Sequence, residues 1–400
     1  MRIFLVGLTS KKLLVFLSLL FLAGMVFALP LDLKLPVFTG NNLIVDQINQ
    51  AMETYFNGYR DEIKTALDFL PDNVNNLAGG FVNASVFSND GASQRGYGGY
   101  NAFSFTTGFM LAAQVPLGKI MDLYNNSKKE GIGPNFVKDV VEIPFGIDGK
   151  LTAQLGINTS FLLKGLYLGF EFSMFDTNWM KSIPSDFSFK TMSVGINASY
   201  QLISQKRLLA GLFVWRGLNL GTGFIWQNTS FGWKSDSIMT DLIGEDLRNI
   251  PVPISIPSPF GDIDYNINMP IDGSLYLGLY TSAYIIPVKA MTSLRLLGIL
   301  NVALGAGCDI AFGRSDIKAA CSITVDKDKV NAGLPNELNI RMDEAPSLTL
   351  NLPGTSLSNF LNPKFMGAVG FNFGPVIIDI PVTYYLNNGY SLGITLGLSF

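Results

Sequence analysis

The chain has 400 residues and a formal net charge of −3; 48% of it is hydrophobic and only 15% is charged. Soluble domains carry nearer a quarter charged residues, so much of this surface is built for something other than water, and the charge offers no footing for nucleic acid. The sequence contains no histidine, which removes Ser–His hydrolases, His-dependent envelope proteases and phospholipases, and His-ligated zinc.

The first residues read as an export signal. Arg2, Lys11 and Lys12 carry positive charge, residues 13–27 are apolar or small throughout, and Val26, Phe27 and Ala28 follow. This order predicts a secretory signal over 1–28, cleaved after Ala28. The competing reading is an uncleaved anchor helix, for which the stretch is short and Pro30 comes too soon. No cysteine lies near the cleavage position, so lipid attachment there is not expected.

Ile48, Met52, Tyr55, Tyr59, Ile63, Ala66 and Leu70 recur at spacings of three and four and predict an amphipathic helix over 42–70. Asn41 or Asn42 would cap it, Asp46 lies in its early turns, Asn57-Gly58 could divide it, and Pro71 would end it. Residues 73–100, with Gly79-Gly80 and Tyr97-Gly98-Gly99-Tyr100, read as loop. The segment 29–100 therefore fits two roles, a helical plug or a periplasmic segment, because amphipathicity reports a face and not a location. The glycines of 96–99 lack the strand–helix setting of a phosphate cradle.

From residue 101 the period changes to two, as strands require. Phe103, Phe105, Phe109, Leu111 and Val115 alternate with Ser104, Thr106, Gly108, Ala112 and Gln114. Strands over 138–146 and 151–159 would flank a turn at Asp148-Gly149. Leu166, Leu168, Phe170 and Phe172 face away from Tyr167, Gly169, Glu171 and Ser173, and Met192, Val194, Ile196, Ala198 and Tyr200 face away from Thr191, Ser193, Gly195, Asn197, Ser199 and Gln201. Further turns are expected at Arg216-Gly217, 269–273, Arg314-Ser315, Gly374-Pro375 and Asn387-Asn388-Gly389. Long loops are expected over 230–260, with a short helix near 237–247, and over 327–363, with a hairpin near 339–352.

The last strand shows the pattern without a break: Tyr390, Leu392, Ile394, Leu396, Leu398 and Phe400 on one face, Ser391, Gly393, Thr395, Gly397 and Ser399 on the other. A soluble sandwich would put Lys and Glu on its wet face, whereas these faces carry Gly, Ser, Thr, Asn and Tyr, as a barrel lumen does. The expected fold is all-β and transmembrane, an antiparallel up-and-down barrel over 101–400 of about fourteen strands, within about twelve to sixteen. With the C-terminus in the periplasm, both long loops fall outside the cell.

Several residues stand out as candidates. A two-residue turn at Arg314-Ser315 would set Cys308 opposite Cys321, as a disulfide of an exported chain or as two free thiols among apolar neighbours. Tyr276, Tyr280 and Tyr284 share one face of strand 274–288 and would look into the lumen, either lining a solute path or filling volume there, or stand in an interfacial girdle. Gln114 and Asn197 are expected on the lumen face. Asp379, in Ile378-Asp379-Ile380-Pro381, should also point inward and pair with a basic side chain. Asp326 and Asp328 lack calcium-loop spacing and read as solvated charge. No cofactor, metal site or catalytic residue is expected.

The C-terminal strand ending in Phe400 resembles the signal read by the barrel-assembly machinery of the bacterial outer membrane. That resemblance implies insertion into outer-membrane lipid, with Tyr390, Leu392, Ile394, Leu396, Leu398 and Phe400 as the recognised face. About fourteen strands behind a helical N-terminal segment is similar in architecture to the long-chain fatty-acid transporter family. The Asn-Pro-Ala motif of that family has no counterpart in the N-terminal region, so no ligand residues carry over. The resulting expectation is a channel or transporter for small, hydrophobic solutes; the alternative is a barrel-anchored surface protein whose external loops bind partners.

Overall fold

Runs that alternate apolar residues with small polar ones become strands because successive side chains of an extended chain point to opposite faces. The computed structural model describes residues 31–40, 45–46, 48–50, 53, 71–89, 102–116, 118, 144–179, 186–208, 212–235, 249–256, 263–334 and 339–400. Its elements begin with β1 (Leu31–Lys34), β2 (Val37–Gly40) and the helix α1 (Pro71–Phe87). Then come β3 (Phe103–Gln114), β4 (Gly146–Asn158), β5 (Leu166–Asp176), β6 (Phe187–Ile203), β7 (Lys206–Leu208), β8 (Phe213–Ser235) and β9 (Asn249–Ile256). The long strands β10 (Ile263–Leu296) and β11 (Leu300–Val325) precede the short helix α2 (Lys327–Gly333). The chain closes with β12 (Ile340–Glu344), β13 (Ser347–Leu357), β14 (Leu361–Phe373), β15 (Val376–Tyr385) and β16 (Gly389–Ser399).

Ten of these strands form a closed ring in the order β3, β4, β5, β6, β8, β10, β11, β14, β15, β16, with β16 returning to β3. The pairings are antiparallel, and registers such as Leu392↔Leu111 and Phe109↔Leu151 keep like faces together. About fourteen strands were expected; the ring has ten because several expected turns lie inside strands. Asp148-Gly149 falls within β4, 269–273 within β10 and Arg314-Ser315 within β11. Arg216-Gly217 falls within β8, where Gly217 takes φ +80. A Cβ there would lie 1.8 Å from the Ile203 carbonyl oxygen, so this glycine permits a close backbone approach rather than a reversal. The Gly374 turn between β14 and β15 is present, with φ +64.

The wall is inverted relative to a soluble protein. Phe105, Leu111, Leu151, Leu155, Phe170, Phe172, Ile196, Phe365, Val369, Ile380 and Val382 stand exposed on the outside. Ser104, Thr106, Thr152, Gln154, Ser193, Thr281, Asn362, Thr383 and Thr395 are buried inside. Such a surface suits lipid outside and a polar lumen within. Among the described residues no helix is long and apolar enough to cross a membrane.

The ring encloses a helix. The residues of α1 from Leu77 onward are buried all round, polar Asn83 and Ser85 included. Its tip touches strands on every side: Val86 and Phe87 cluster with Ala112 of β3, Ile225 of β8, Ala283 and Ile285 of β10, Ala311 of β11 and Tyr385 of β15. Only an element on the barrel axis reaches all of these. A helix with its side chains is roughly 10–12 Å across, and eight strands leave room for little more than side chains. A ten-stranded ring takes a helix kept slim by glycine, alanine and serine. The contact is tightest at Gly80, where a Cβ would lie 2.3 Å from the Phe145 carbonyl oxygen. Reciprocally, a Cβ on Gly146 would lie 2.1 Å from the Gly80 oxygen.

Pro71, expected to stop a helix over 42–70, instead opens α1, where its fixed φ and missing N–H are harmless. Most of 42–70 lies outside the described residues, as do the expected signal 1–28 and the short helix near 237–247.

A second compact unit comprises 1–74, 232–278 and 318–353. In it β1 pairs with β13 (Leu31↔Leu350), and β2 pairs with β12 with a bulge at Met342/Glu344. Phe38 and Met342 are buried there, and the Asn49 side chain accepts from Phe38 N (3.0 Å) and donates to Phe38 O (3.1 Å). Asp326 caps α2 by accepting from the Asp328 and Lys329 amides, and its hydrogen bond with the Lys329 ammonium holds its carboxyl below the usual range.

Replacing Gly80 by Val forces a side chain into backbone. Overpacking of this kind costs about 1–3 kcal/mol, so Gly80→Val is expected to lower the thermal unfolding midpoint of the detergent-solubilised barrel, while Gly333→Val, where a Cβ meets open space, leaves it near wild type.

Candidate functional site

The most heavily bonded part of the lumen is where α1 ends. Two buried carboxylates receive it, Asp148 on β4 and Asp309 on β11. Those strands are five places apart either way round the ten-strand ring, so the carboxylates come from opposite walls. Asp148 accepts from Ser88 Oγ (2.6 Å), Gln227 Nε2 (2.6 Å) and the Gly149 amide (3.0 Å). Gln227 Nε2 also donates to Ser85 Oγ (3.0 Å) and Ser88 Oγ (2.8 Å). Lys150 Nζ donates to Gln227 Oε1 (3.2 Å) and Ser193 Oγ (3.3 Å), so a cation reaches the same network through an amide.

On the opposite wall, Asn89 Nδ2 donates to Asp309 Oδ2 at 2.7 Å and Tyr385 Oη donates to it at 3.0 Å. Lys364 Nζ lies 2.7 Å from Asp309 Oδ1, and both side chains are wholly buried. The ammonium also sits 5.5 Å from the Tyr385 ring centre, and that ring stacks on Phe87 at 4.2 Å. The last turn of a helix carries partial negative charge, so two carboxylates there are tolerated only with donors and cations supplied. Lys150, Lys364, Gln227, Tyr385 and the serines supply them.

Along the helix, Asn75 Oδ1 accepts from the Thr355 amide (2.9 Å) and Asn83 Oδ1 from the Asn359 amide (2.8 Å). The helix is thus held mainly by hydrogen bonds, with one apolar cluster at its tip. Beyond the tip the wall stays polar: Gln154 Nε2 donates to Asn197 Oδ1 (3.3 Å), Asn197 Nδ2 to Glu171 Oε2 (3.4 Å), and the Ser173 and Ser193 hydroxyls are bonded to each other.

Gln114 is buried on the inner face and donates to the Asn387 carbonyl (3.5 Å). Asn197 lies on the inner wall as described, and Asp379 is buried on the inner face of β15. Tyr276, Tyr280 and Tyr284 do not face the lumen. They are 46–49% exposed on the outer face of β10, while Leu277, Leu279, Ala283 and Ile285 face inward. The expectation failed because this strand is apolar on both faces: Ala283 and Ile285 pack on α1, so alternation no longer marks the lumen side. Tyr284 stacks on Phe224 (6.0 Å), and Tyr280 Oη accepts from Asn228 Nδ2 (2.8 Å).

The expected disulfide is also overturned. Without a turn at 314–315, Cys308 and Cys321 occupy one continuous strand, roughly 40 Å apart at the usual rise per residue, and Cys308 is a free thiol. Tyr390 is half-buried, and Leu392, Ile394, Leu396, Leu398 and Phe400 are exposed, all on the outer face.

The clamp residues Asp148, Lys150, Asp309, Lys364 and Tyr385 were not singled out from sequence. Their signal is a charge or a tyrosine on the small-residue face of an otherwise apolar strand. Removing one partner of a buried ion pair costs about 3–5 kcal/mol, whereas replacing both by apolar groups costs far less. Asp309→Ala should therefore destabilise the barrel strongly in denaturant titration, and Asp309→Leu with Lys364→Met should recover most of the loss.

No curated protein matches the chain. Among solved structures, the monoaromatic hydrocarbon channel CymD is 11% identical, covering 81% of this chain and 98% of its own, with a TM-score of 0.23. A Pseudomonas aeruginosa FadL homologue is 9% identical over 82% and 98%, with a TM-score of 0.24. The translocator domain of the autotransporter NalP from Neisseria meningitidis is 9% identical over 75% and 89%, also at 0.24. Likenesses of this size carry no inference about what this chain does. Residues 32–400, the whole barrel and the segment before it, match one family along their length, and the chain belongs to the Lsa36-like family.

Proposed function

We propose that this protein is a bacterial outer-membrane barrel that passes small solutes, with α1 as its closure. The observation that carries this is the helix tip clamped between Asp148 and Asp309 on opposite walls of a polar-lined lumen. A helix bonded by hydroxyls, amides and carboxylates can exchange those partners for water at little cost, as an apolar core cannot. A lumen lined below the plug by Thr152, Gln154, Glu171, Ser173 and Asn197 is wettable once the tip withdraws. In this proposal the chain is exported behind a cleaved signal, the strand ending at Phe400 is recognised by the barrel-assembly machinery, and the short turns face the periplasm.

A second function is favoured by strand length. A tilted strand crosses the hydrocarbon in about 9–11 residues, whereas β10 has 34 and β11 has 26. The surplus suits a surface protein whose outer part meets other molecules.

Planar bilayers separate the two. The intact protein is expected to conduct little, and deletion of 29–100 or the double change Asp148→Asn with Asp309→Asn should open steady channels. If all three forms fold, insert and stay silent, passage of solutes is refuted and the surface role stands.

A further inference from the structure

The end of the barrel that carries the short turns is edged with apolar side chains. The β4–β5 connection exposes Phe161 (77%), Leu162 (70%) and Leu163, and the β10–β11 connection exposes Leu297 (69%) and Ile299. Between β6 and β8, Leu202, Ile203, Leu208 and Leu212 are exposed, and Phe373 and Phe400 add aromatic rings at the same end. Leu297 holds φ +51, a backbone state that disfavours a side chain. A leucine kept there and turned outward gains nothing from water. The Leu297 amide bonds the Leu212 carbonyl at 2.7 Å, so two of these apolar turns are tied side by side.

Charge at this end is of one sign. The connections 159–165, 204–212, 297–299 and 374–375 contain Lys164, Lys206 and Arg207 and no Asp or Glu. The apolar rim also runs without a break into the outer wall, through Phe103, Ile157, Leu168, Phe371 and Leu398.

We infer that this rim is a lipid-binding surface. Phe161, Leu162 and Leu297 enter the acyl chains of the near leaflet, while Lys164, Lys206 and Arg207 hold the phosphates of anionic phospholipids. The inference rests on the barrel spanning a membrane, as proposed above. Water cannot cover apolar tips of this size without cost, and their continuity with the lipid-facing wall makes the bilayer the adjoining apolar phase. Basic side chains beside buried apolar ones are the pairing that anionic interfaces select, because their stems reach through hydrocarbon while their heads stay at phosphate.

The test uses the full chain with Cys308→Ser and Cys321→Ser and one fluorophore, attached through Leu162→Cys, Leu297→Cys, Ile394→Cys on the mid-wall, or Asp186→Cys in the β5–β6 connection. In vesicles of brominated phosphatidylcholine, rim quenching should come within about two-fold of the mid-wall value, with Asp186→Cys unquenched. A quenched mid-wall with an unquenched rim overturns the inference and leaves the membrane barrel standing, the result expected if a soluble protein or a second copy covers the rim. A mid-wall that is not quenched overturns both. In mixed vesicles, spin-labelled phosphatidylglycerol should be retained at the protein over phosphatidylcholine. The combined change Lys164→Gln, Lys206→Gln and Arg207→Gln should abolish that preference; a preference unchanged by it overturns the role of the three cations.

Discussion

An apolar outer wall leaves its backbone no solvent to bond to, and the rest of the structure follows from that constraint. Every N–H and C=O in the wall must find a partner within the sheet, so the sheet must close. Closure comes from the pairing of β10 with β11 and of β16 with β3, which leaves the ring without an edge. Once closed, the side-chain period of two divides each strand into a lipid-type face and a lumen face, and the lumen inherits the polar half.

A polar lumen then decides what can occupy it. An apolar helix would strand the inward hydroxyls and amides, and a highly charged one would meet too few counter-ions. α1 avoids both. Gly80 lies backbone to backbone against Gly146, Asn75 and Asn83 receive main-chain amides, and Ser85, Ser88 and Asn89 hand the tip to Asp148 and Asp309. The buried Lys364–Asp309 pair fits this scheme: it is weak evidence of net stability, yet it holds a charge-balanced acceptor where the Asn89 side-chain amide, just past the helix, donates. Closure of the wall and occupation of the lumen are one design, because each supplies the partners that the other lacks.

The clamp and the rim are set apart along the same strands. Asp148 lies near the start of β4, which ends at the turn that carries Phe161, and β11 begins beside Leu297 and reaches Asp309 farther on. Polar chemistry within the lumen and apolar tips with basic neighbours at the rim give the barrel a direction, which the symmetric alternation of its wall does not.

The strand ending at Phe400 was fully legible in sequence, face by face, because its period is unbroken and both faces are chemically pure. The same holds for Phe103–Gln114 and Leu166–Asp176. The number of strands was not, since Asp148-Gly149 and Arg314-Ser315 carry turn chemistry for other reasons. Asp148 serves α1, and Ser315 accepts from Thr281 (3.0 Å) inside the lumen. With that second turn went the opposition of Cys308 and Cys321. The three tyrosines of β10 stand on the face opposite to the expected one because the inner face is apolar where it meets α1. α1 reads as loop in the sequence, although Leu77, Ala78, Phe81 and Val82 keep helical spacing, because glycine and asparagine weaken any local case for a helix.

The sequence by itself therefore determined that the chain is a lipid-type barrel, which faces its regular strands present, and how its last strand ends. Those depend on the period of residues near each other along the chain. Only the tertiary structure decided that ten strands close the ring, that 71–87 is the helix within it, and that Asp148 and Asp309 meet its tip. Those depend on partners more than fifty residues apart, whose meeting is set by closure and by volume rather than by any local pattern.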